Sequence, residues 1–284
     1  MPPRSLDLGR HIDGSSANLL ENTLAPLRQA FHFSTMIVGN DGQNHALVIK
    51  VAAGEADRAA ARSLLNKRYG WRGYGESHSI PASATHSTFT AYIDGELVGT
   101  LTLGVDSSAG MEIDHTFRNE LNTYRRVPGA QLCELTKFAF ETSVQSKAIL
   151  AAFFHFIFIY GECRYDCTDL FIEVNPRHRR FYEAMLGFDR VGGLKENEGV
   201  GAPSQLMHLE VAQIRAQVAE YTRAAGGVSE RSLYPFFLSG EIESDVRLKM
   251  ERGGLSASQA HRAAAIASQR QPNAIDAGVT VGHA

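Results

Sequence analysis

At 284 residues, 44% of them hydrophobic and 21% charged, the chain has the makeup of a soluble globular protein of one or two domains with a sizeable core. Its formal net charge of −3 argues against a general nucleic-acid binder. Cys133, Cys163 and Cys167 are an odd, sparse set without CxxC spacing, which indicates neither a disulfide framework nor a zinc or other metal site and points to a reduced, cytoplasmic home.

In chain order, Met1 to Gly14 carries charges and no apolar core, so it does not read as a secretory signal. Residues 1–40 are weakly patterned: Leu19, Leu20, Leu24 and Leu27 have amphipathic spacing, but Pro26 interrupts it, and the segment reads as an arm. Ala46 to Val51 predicts a strand, and Glu55 to Tyr69 a helix with Ala60, Ala61, Leu64 and Leu65 on one face. Three glycines in Tyr69 to Gly75 end that helix. Trp71 lies there between Arg68 and Arg72, a loop fit to embrace a small substrate or simply to pack a helix end.

Thr88 to Val105 predicts a hairpin turning at Asp94-Gly95, and Phe117 and Leu121 stand at helical spacing within Ser107 to Arg126. Leu132 to Phe140 (LCELTKFAF) predicts a central strand, in which Glu134 must be paired, protonated or functional. Ala148 to Tyr160 is the longest apolar run, broken by His155. A bilayer span needs about 20 residues, so the run predicts a buried helix, with peripheral membrane contact left open.

Asp169 to Val174 predicts a strand that feeds a helix of about three turns, with Asn175 as N-cap, Pro176 at the first helical position and Gly187 closing it. Such a junction can hold an anion on its exposed N–H groups. Arg177, His178, Arg179 and Arg180 crowd this first turn, where the helix dipole disfavours cations. The turn is either a solvated basic face or one that meets a phosphate or an acidic partner. Ser204 to Val211 predicts a last strand and Val211, Ile214 and Val218 a helix. Beyond Gly226-Gly227, Tyr234 to Leu238 forms an aromatic anchor, Ile242 to Met250 a short helix, and Ser256 with Gln259 a capping box before an Ala-rich helix and a disordered tail. The chain thus divides into an arm (1–40), a main domain (41–225) and a helical C-terminal extension (226–284).

This order, with Asn175, Tyr182, Gly187 and Phe188 in an Asn…Tyr…Gly-Phe pattern, resembles the GNAT acyltransferase fold, an α/β fold with a mixed central sheet flanked by helices. One extra residue, within Met185-Leu186, separates the Tyr from the Gly-Phe. The phrases Leu97 to Leu103 (LVGTLTL), Leu132 to Ala139 (LCELTKFA) and Asn175-Pro-Arg-His178 with Phe181-Tyr182 resemble the N-acyl amino acid synthase (FeeM-like) pattern, in a branch with the acyl-homoserine-lactone synthases. The likeness covers roughly residues 45–212. It implies an N-acyltransferase that moves a long-chain fatty acyl group from acyl carrier protein to the α-amine of an amino acid. It also implies that Glu134 falls where the signal synthases place a catalytic Glu, with Lys137 in place of their Arg. Those synthases carry an Arg after the hairpin glycine, whereas here Gly99 is followed by Thr100, Leu101 and Thr102, which argues against lactone formation.

The chemistry adds roles. An amine attacking a thioester must be neutral and sheds a proton as the tetrahedral intermediate forms, and a positioned base is worth roughly 10²–10⁴-fold. Glu134 is the candidate base, acting directly or through a water, against the alternative of a structural carboxylate paired with Lys137 or an arginine. In a regular strand Glu134 and Lys137 point to opposite faces, so their pairing requires a bulge. Backbone N–H groups near Phe138, Ala139 and Phe140 can form an oxyanion hole. Tyr182 can protonate the leaving thiolate or merely pack on the sheet. Asn175, Arg177 and His178 are candidates for the donor's phosphate, with capping and surface roles as alternatives for Asn175 and His178. Lys137, Arg72 and Trp71 are candidates for the acceptor. Cys133 lacks a visible His partner and is given no nucleophilic role.

Coenzyme A users of this fold cradle a diphosphate in a Gly-rich loop after the central strand, yet Phe140 to Lys147 holds no glycine. Acyl phosphopantetheine on an acidic carrier protein suits the basic turn better, as a co-substrate, with no tightly bound cofactor expected. The alternatives are an acyl-CoA-dependent acetyltransferase, a signal-lactone synthase, or a non-catalytic acyl-ligand sensor.

Overall fold

The computed structural model describes residues 31–39, 41–75, 77–141, 146–223 and 231–252. Strands β1 (His32–Val38), β2 (Asn44–Val51), β3 (His86–Ile93), β4 (Glu96–Val105), β5 (Leu132–Phe140), β6 (Asp169–Val174), β7 (Asp189–Asn197) and β8 (Ala202–Glu210) form one sheet in the order β1-β2-β3-β4-β5-β6-β8-β7. All neighbours run antiparallel except β5 with β6. The helices are α1 (Glu55–Trp71), α2 (Asp114–Arg125), α3 (Lys147–Tyr165), α4 (Arg179–Leu186), α5 (Val211–Arg223) and α6 (Gly240–Arg252). This is the α/β fold with a mixed sheet that the sequence predicts. The Leu19 to Leu27 spacing, the loop residues Thr142 to Gln145, Gly226-Gly227, the Ser256–Gln259 capping box and the tail lie outside the described residues.

Local sequence explains most elements. The β3–β4 hairpin turns through Asp94 (φ 49°) and Gly95 (φ 91°), both in the left-handed region that a two-residue turn requires. Helix α3 is apolar on nearly every side and is buried accordingly, from Ile149 to Gly161 on most of its surface. It extends past the apolar run to Tyr165. Its length and composition match a membrane span, and its apolar sides are taken up by the core. His155, which breaks the run, is satisfied: its Nδ1 accepts the Leu238 N–H at 3.1 Å and its Nε2 lies 3.4 Å from Glu243.

Two strands depart from the sequence reading. His32 to Val38, placed in the arm, forms β1 at the sheet edge, with only Phe33 fully buried, its ring stacked on Phe156 at 5.7 Å. β7 lies at the other edge with a largely exposed, glycine-broken run, so it carries little alternation to read.

The two sheet faces differ. On one, Cys133, Leu135, Leu170, Ile172, Met207 and the apolar sides of α3 and α5 form the largest core cluster. The other carries two smaller clusters: one joins α1 to Ala139, and one joins α2 to Leu132, Phe171 and Leu206. The C-terminal segment docks on the main domain as the aromatic anchor predicts. The Leu233 N–H donates to the Met185 carbonyl at 2.9 Å, Tyr234 Oη to the Leu186 carbonyl at 2.8 Å, and Phe237 stacks on His155 at 4.5 Å. Glu162 on α3 pairs with Arg215 on α5 and Arg247 on α6.

The cysteine reading is corrected by the fold. Cys133 on β5 and Cys167, just before β6, are joined in a disulfide with Cα atoms 6.2 Å apart, and Cys163 alone is a free thiol. Adjacent strands bring together two cysteines 34 positions apart, a pairing that spacing cannot reveal. Closing a loop of that length is worth about 4 kcal/mol in the chain-entropy treatment. Reduction, or Cys167→Ala, is therefore expected to lower the thermal midpoint. A midpoint indifferent to reductant in calorimetry would remove the disulfide from the stability of this chain.

Candidate active site

The β5–β6 ladder is short. Leu132 faces Asp169, Cys133 faces Leu170 and Glu134 faces Phe171, after which β5 continues to Phe140 and β6 to Val174 without further pairing. The strands therefore part at Glu134, and one edge of β5 has no strand partner from Leu135 onward. Glu134 sits at the apex of that fork with its side chain wholly buried, between the α1 and α2 clusters.

Its carboxylate is held by backbone. Oε1 accepts the Glu112 N–H at 2.8 Å and Oε2 the Ile113 N–H at 3.0 Å, both from the turn that opens α2. Those donors and the helix dipole favour the charged form. Burial opposes them and dominates, pushing the Glu134 pKa up to about 7. Space for the carboxyl comes from Gly104, opposite Glu134 on β4. A Cβ there would stand 2.8 Å from Oε1. On the far side of Gly104 in the next ladder is His86, whose Nε2 lies 4.0 Å from Oε1.

The bulge that a Glu134–Lys137 pair would require is present. Thr102 faces Thr136 and Thr100 faces Ala139, so Lys137 and Phe138 both stand against Leu101, and Lys137 takes a φ of 53°. Lys137 nevertheless pairs with Glu112, not Glu134. The bulge also divides the donor-site candidates. Phe138 and Phe140 turn toward α3, 5.2 Å from Phe154 and 6.1 Å from Phe153, while Ala139 packs on α1.

A second group forms where β6 meets its helix. The predicted three-turn helix starts instead as a 3-10 turn, Pro176–His178, before α4, because Asn175 Oδ1 accepts the Arg177 N–H at 3.2 Å and tightens the entry. Gly187 (φ 79°) closes α4 as expected. Arg177 donates to Tyr74 Oη and lies 5.3 Å from its ring centroid, joining this turn to the glycine-rich loop after α1. Arg179 pairs with Glu183 at 3.5 Å, and Arg180 is exposed. Burial, with the charges of Arg72 and Arg177, holds His178 below its ordinary value.

Tyr182 packs against Phe181 and Phe188, and burial pushes its pKa up to about 12 against the pull of Arg72. Tyr69 is likewise pushed up by burial, with Tyr182, Arg72 and Glu112 all acting on it. Trp71 is 76% exposed with Arg68 over its ring, and among the described residues no ring or ion-pair contact ties it to either group.

Sequence reasoning missed His86, Glu112, Tyr69 and Tyr74. Tyr69 and Tyr74 flank the loop that it did single out. His86 and Glu112 reach Glu134 only through strand register and a turn, which leave no local signal. A surface cavity of about 380 Å³ lined by Asp114, His115, Thr116, Arg118, Asn119 and Lys195 holds none of the candidate residues and lies outside this site.

The family model for FeeM, N-acyl amino acid synthase, matches residues 60–210. Among solved structures, FeeM, an N-acyl amino acid synthase from uncultured soil microbes, is 26% identical with a TM-score of 0.54, covering 62% of this chain and 98% of its own. The GNAT domain of S. lividans PAT is 13% identical with a TM-score of 0.42, covering 62% of this chain and 96% of that domain. The AHL synthase LasI is 15% identical with a TM-score of 0.44, covering 63% of this chain and 91% of its own. No curated protein matches.

Proposed function

The chain belongs to the FeeM family of N-acyl amino acid synthases, and from that premise we propose that it transfers a long-chain fatty acyl group from acyl carrier protein to the α-amine of an amino acid. One observation carries the reading: the sheet opens at a buried, backbone-held carboxylate whose pKa of about 7 suits a general base.

In this mechanism the acyl phosphopantetheine arm lies along the unpaired edge of β5, where backbone groups at Phe138, Ala139 and Phe140 meet the thioester carbonyl. Asn175, Arg177 and His178 lie toward its phosphate, and the acidic carrier protein meets the basic turn. Glu134 removes a proton from the amine as it attacks. The C–N bond forms, the C–S bond breaks, and Tyr182, a neutral phenol at neutral pH, gives its proton to the departing thiolate and regains one from solvent before the next turnover. Lys137 and Arg72 take the acceptor and the exposed Trp71 is left out of the site, with Thr136 beside Glu134 offering a hydroxyl that has no hydrogen-bond partner among the described residues. Among the described residues no arginine or lysine forms an ion pair with Glu134, Lys137 being paired with Glu112, which supports a working base over a locked ion pair. The cytoplasm is the compartment that this reading assigns, from its donor and no longer from the cysteines.

The test is mass spectrometry on purified protein given mixed amino acids with either acyl carrier protein thioesters or acyl coenzyme A. N-acyl amino acid in the carrier-protein arm is the expected result. Product only from coenzyme A overturns the donor, and no amide in either arm overturns the activity.

A further inference from the structure

The reaction proposed above releases one proton per turnover. The acceptor enters as an ammonium and leaves as an amide N–H, so it loses two protons, one to solvent before the amine attacks and one to Glu134 as it attacks; the proton that Tyr182 gives to the thiolate and regains from solvent offsets one of them. The proton taken in the attack leaves through Glu134, whose side chain is 0% exposed. A carboxyl sealed from water needs a route for that proton.

The side chain leading outward is His86. Its Nε2 lies 4.0 Å from Glu134 Oε1, and its side chain is 21% exposed. Only Gly104 separates the two along the ladders, so no side chain stands between them. The other ring nitrogen is anchored: Nδ1 lies 2.6 Å from Ser83 Oγ and 3.1 Å from Thr85 Oγ1. With Nδ1–H donating to Ser83, the Nε2 lone pair faces Glu134. The charged groups facing this ring are Lys137 from β5 and Glu112 from the turn before α2, and they pair with one another.

We propose that His86 is a proton relay for Glu134, a positioning residue that accepts its proton at Nε2 and hands it to solvent. This rests on the acyl-transfer reading. In the step, the Glu134 Oε1–H bond breaks and Nε2–H forms. As the ring swings back, the imidazolium releases that same Nε2 proton to water, which restores the carboxylate and the neutral ring with its Nδ1–H on Ser83. Closing the 4.0 Å gap takes a small ring rotation of the kind that substrate binding brings about. Burial, with the charge of Lys137, holds His86 below its ordinary value, so the ring passes the proton on and does not keep it.

The experiment compares wild type, His86→Gln and His86→Ala in the amide-forming assay at rising imidazole concentration. The inference expects kcat to fall by about 10²-fold in both variants with the acceptor KM unchanged. Imidazole restores His86→Ala, a recovery that a purely structural role would not show. If His86→Ala does not fold, His86→Gln decides by its kcat, its acceptor KM and a solvent isotope effect larger than that of wild type. Wild-type kcat in the variants, or a loss carried in acceptor KM and indifferent to imidazole, overturns the relay and leaves the activity standing. A wild-type protein that forms no amide overturns the underlying reading and the relay with it.

Discussion

Glu134→Gln is expected to cut kcat by about 10²–10⁴-fold, the usual worth of a positioned base, in a protein that stays folded. The two carboxylate oxygens accept the N–H groups of Glu112 and Ile113. Glutamine offers one oxygen and one NH₂, so one N–H loses its acceptor, at about 1–3 kcal/mol. The pH dependence identifies the group. Wild-type kcat/KM should rise with pH through about 7 as Glu134 ionises. The variant should be flat there.

Stability moves the other way. The folded pKa of Glu134 is raised, so its contribution is fully present below the unfolded value of about 4.3 and is lost as pH climbs through about 7. Wild type should therefore lose denaturant stability across that window, and Glu134→Gln should lack that part of the slope. Full turnover in the variant would remove Glu134 from the chemistry.

The second large effect is at a residue with no side chain. Gly104 does not need glycine for its backbone angles, since it lies outside the left-handed region. It needs it for space: a Cβ would sit 2.8 Å from Glu134 Oε1 and 2.9 Å from its Cγ. Gly104 is clamped between two ladders, paired with His86 on one side and Glu134 on the other. The carboxyl therefore has to give way. A misplacement near 1 Å costs about 10²-fold in rate. Gly104→Ala is expected to lose about that much kcat, with a destabilisation of about 1–3 kcal/mol from overpacking. Steady-state kinetics and urea denaturation check both numbers. Wild-type kcat in Gly104→Ala would mean that the carboxyl position is not what sets the rate.

The sequence by itself determined the elements that are built locally. The β3–β4 hairpin follows from alternation around Asp94-Gly95, α3 from an apolar run interrupted only by His155, and the Asn175 to Gly187 junction from its cap, proline and glycine. It also singled out Glu134, because a carboxylate in an apolar strand is costly enough to demand a reason. Edge strands β1 and β7 escaped because a half-exposed run has little apolar period to read.

Only the tertiary structure decided what surrounds the carboxylate. Glu112 reaches it across 22 positions and Tyr74 meets Arg177 across 103. Such neighbours are set by strand register, a bulge at Lys137 and a ladder that stops at Glu134, none of which has a local sequence period. The same holds for Cys133 and Cys167, which look unrelated along the chain and meet because β5 and β6 run side by side. Local propensity acts over a few residues, whereas a site assembled across a sheet depends on which strands the packing places together.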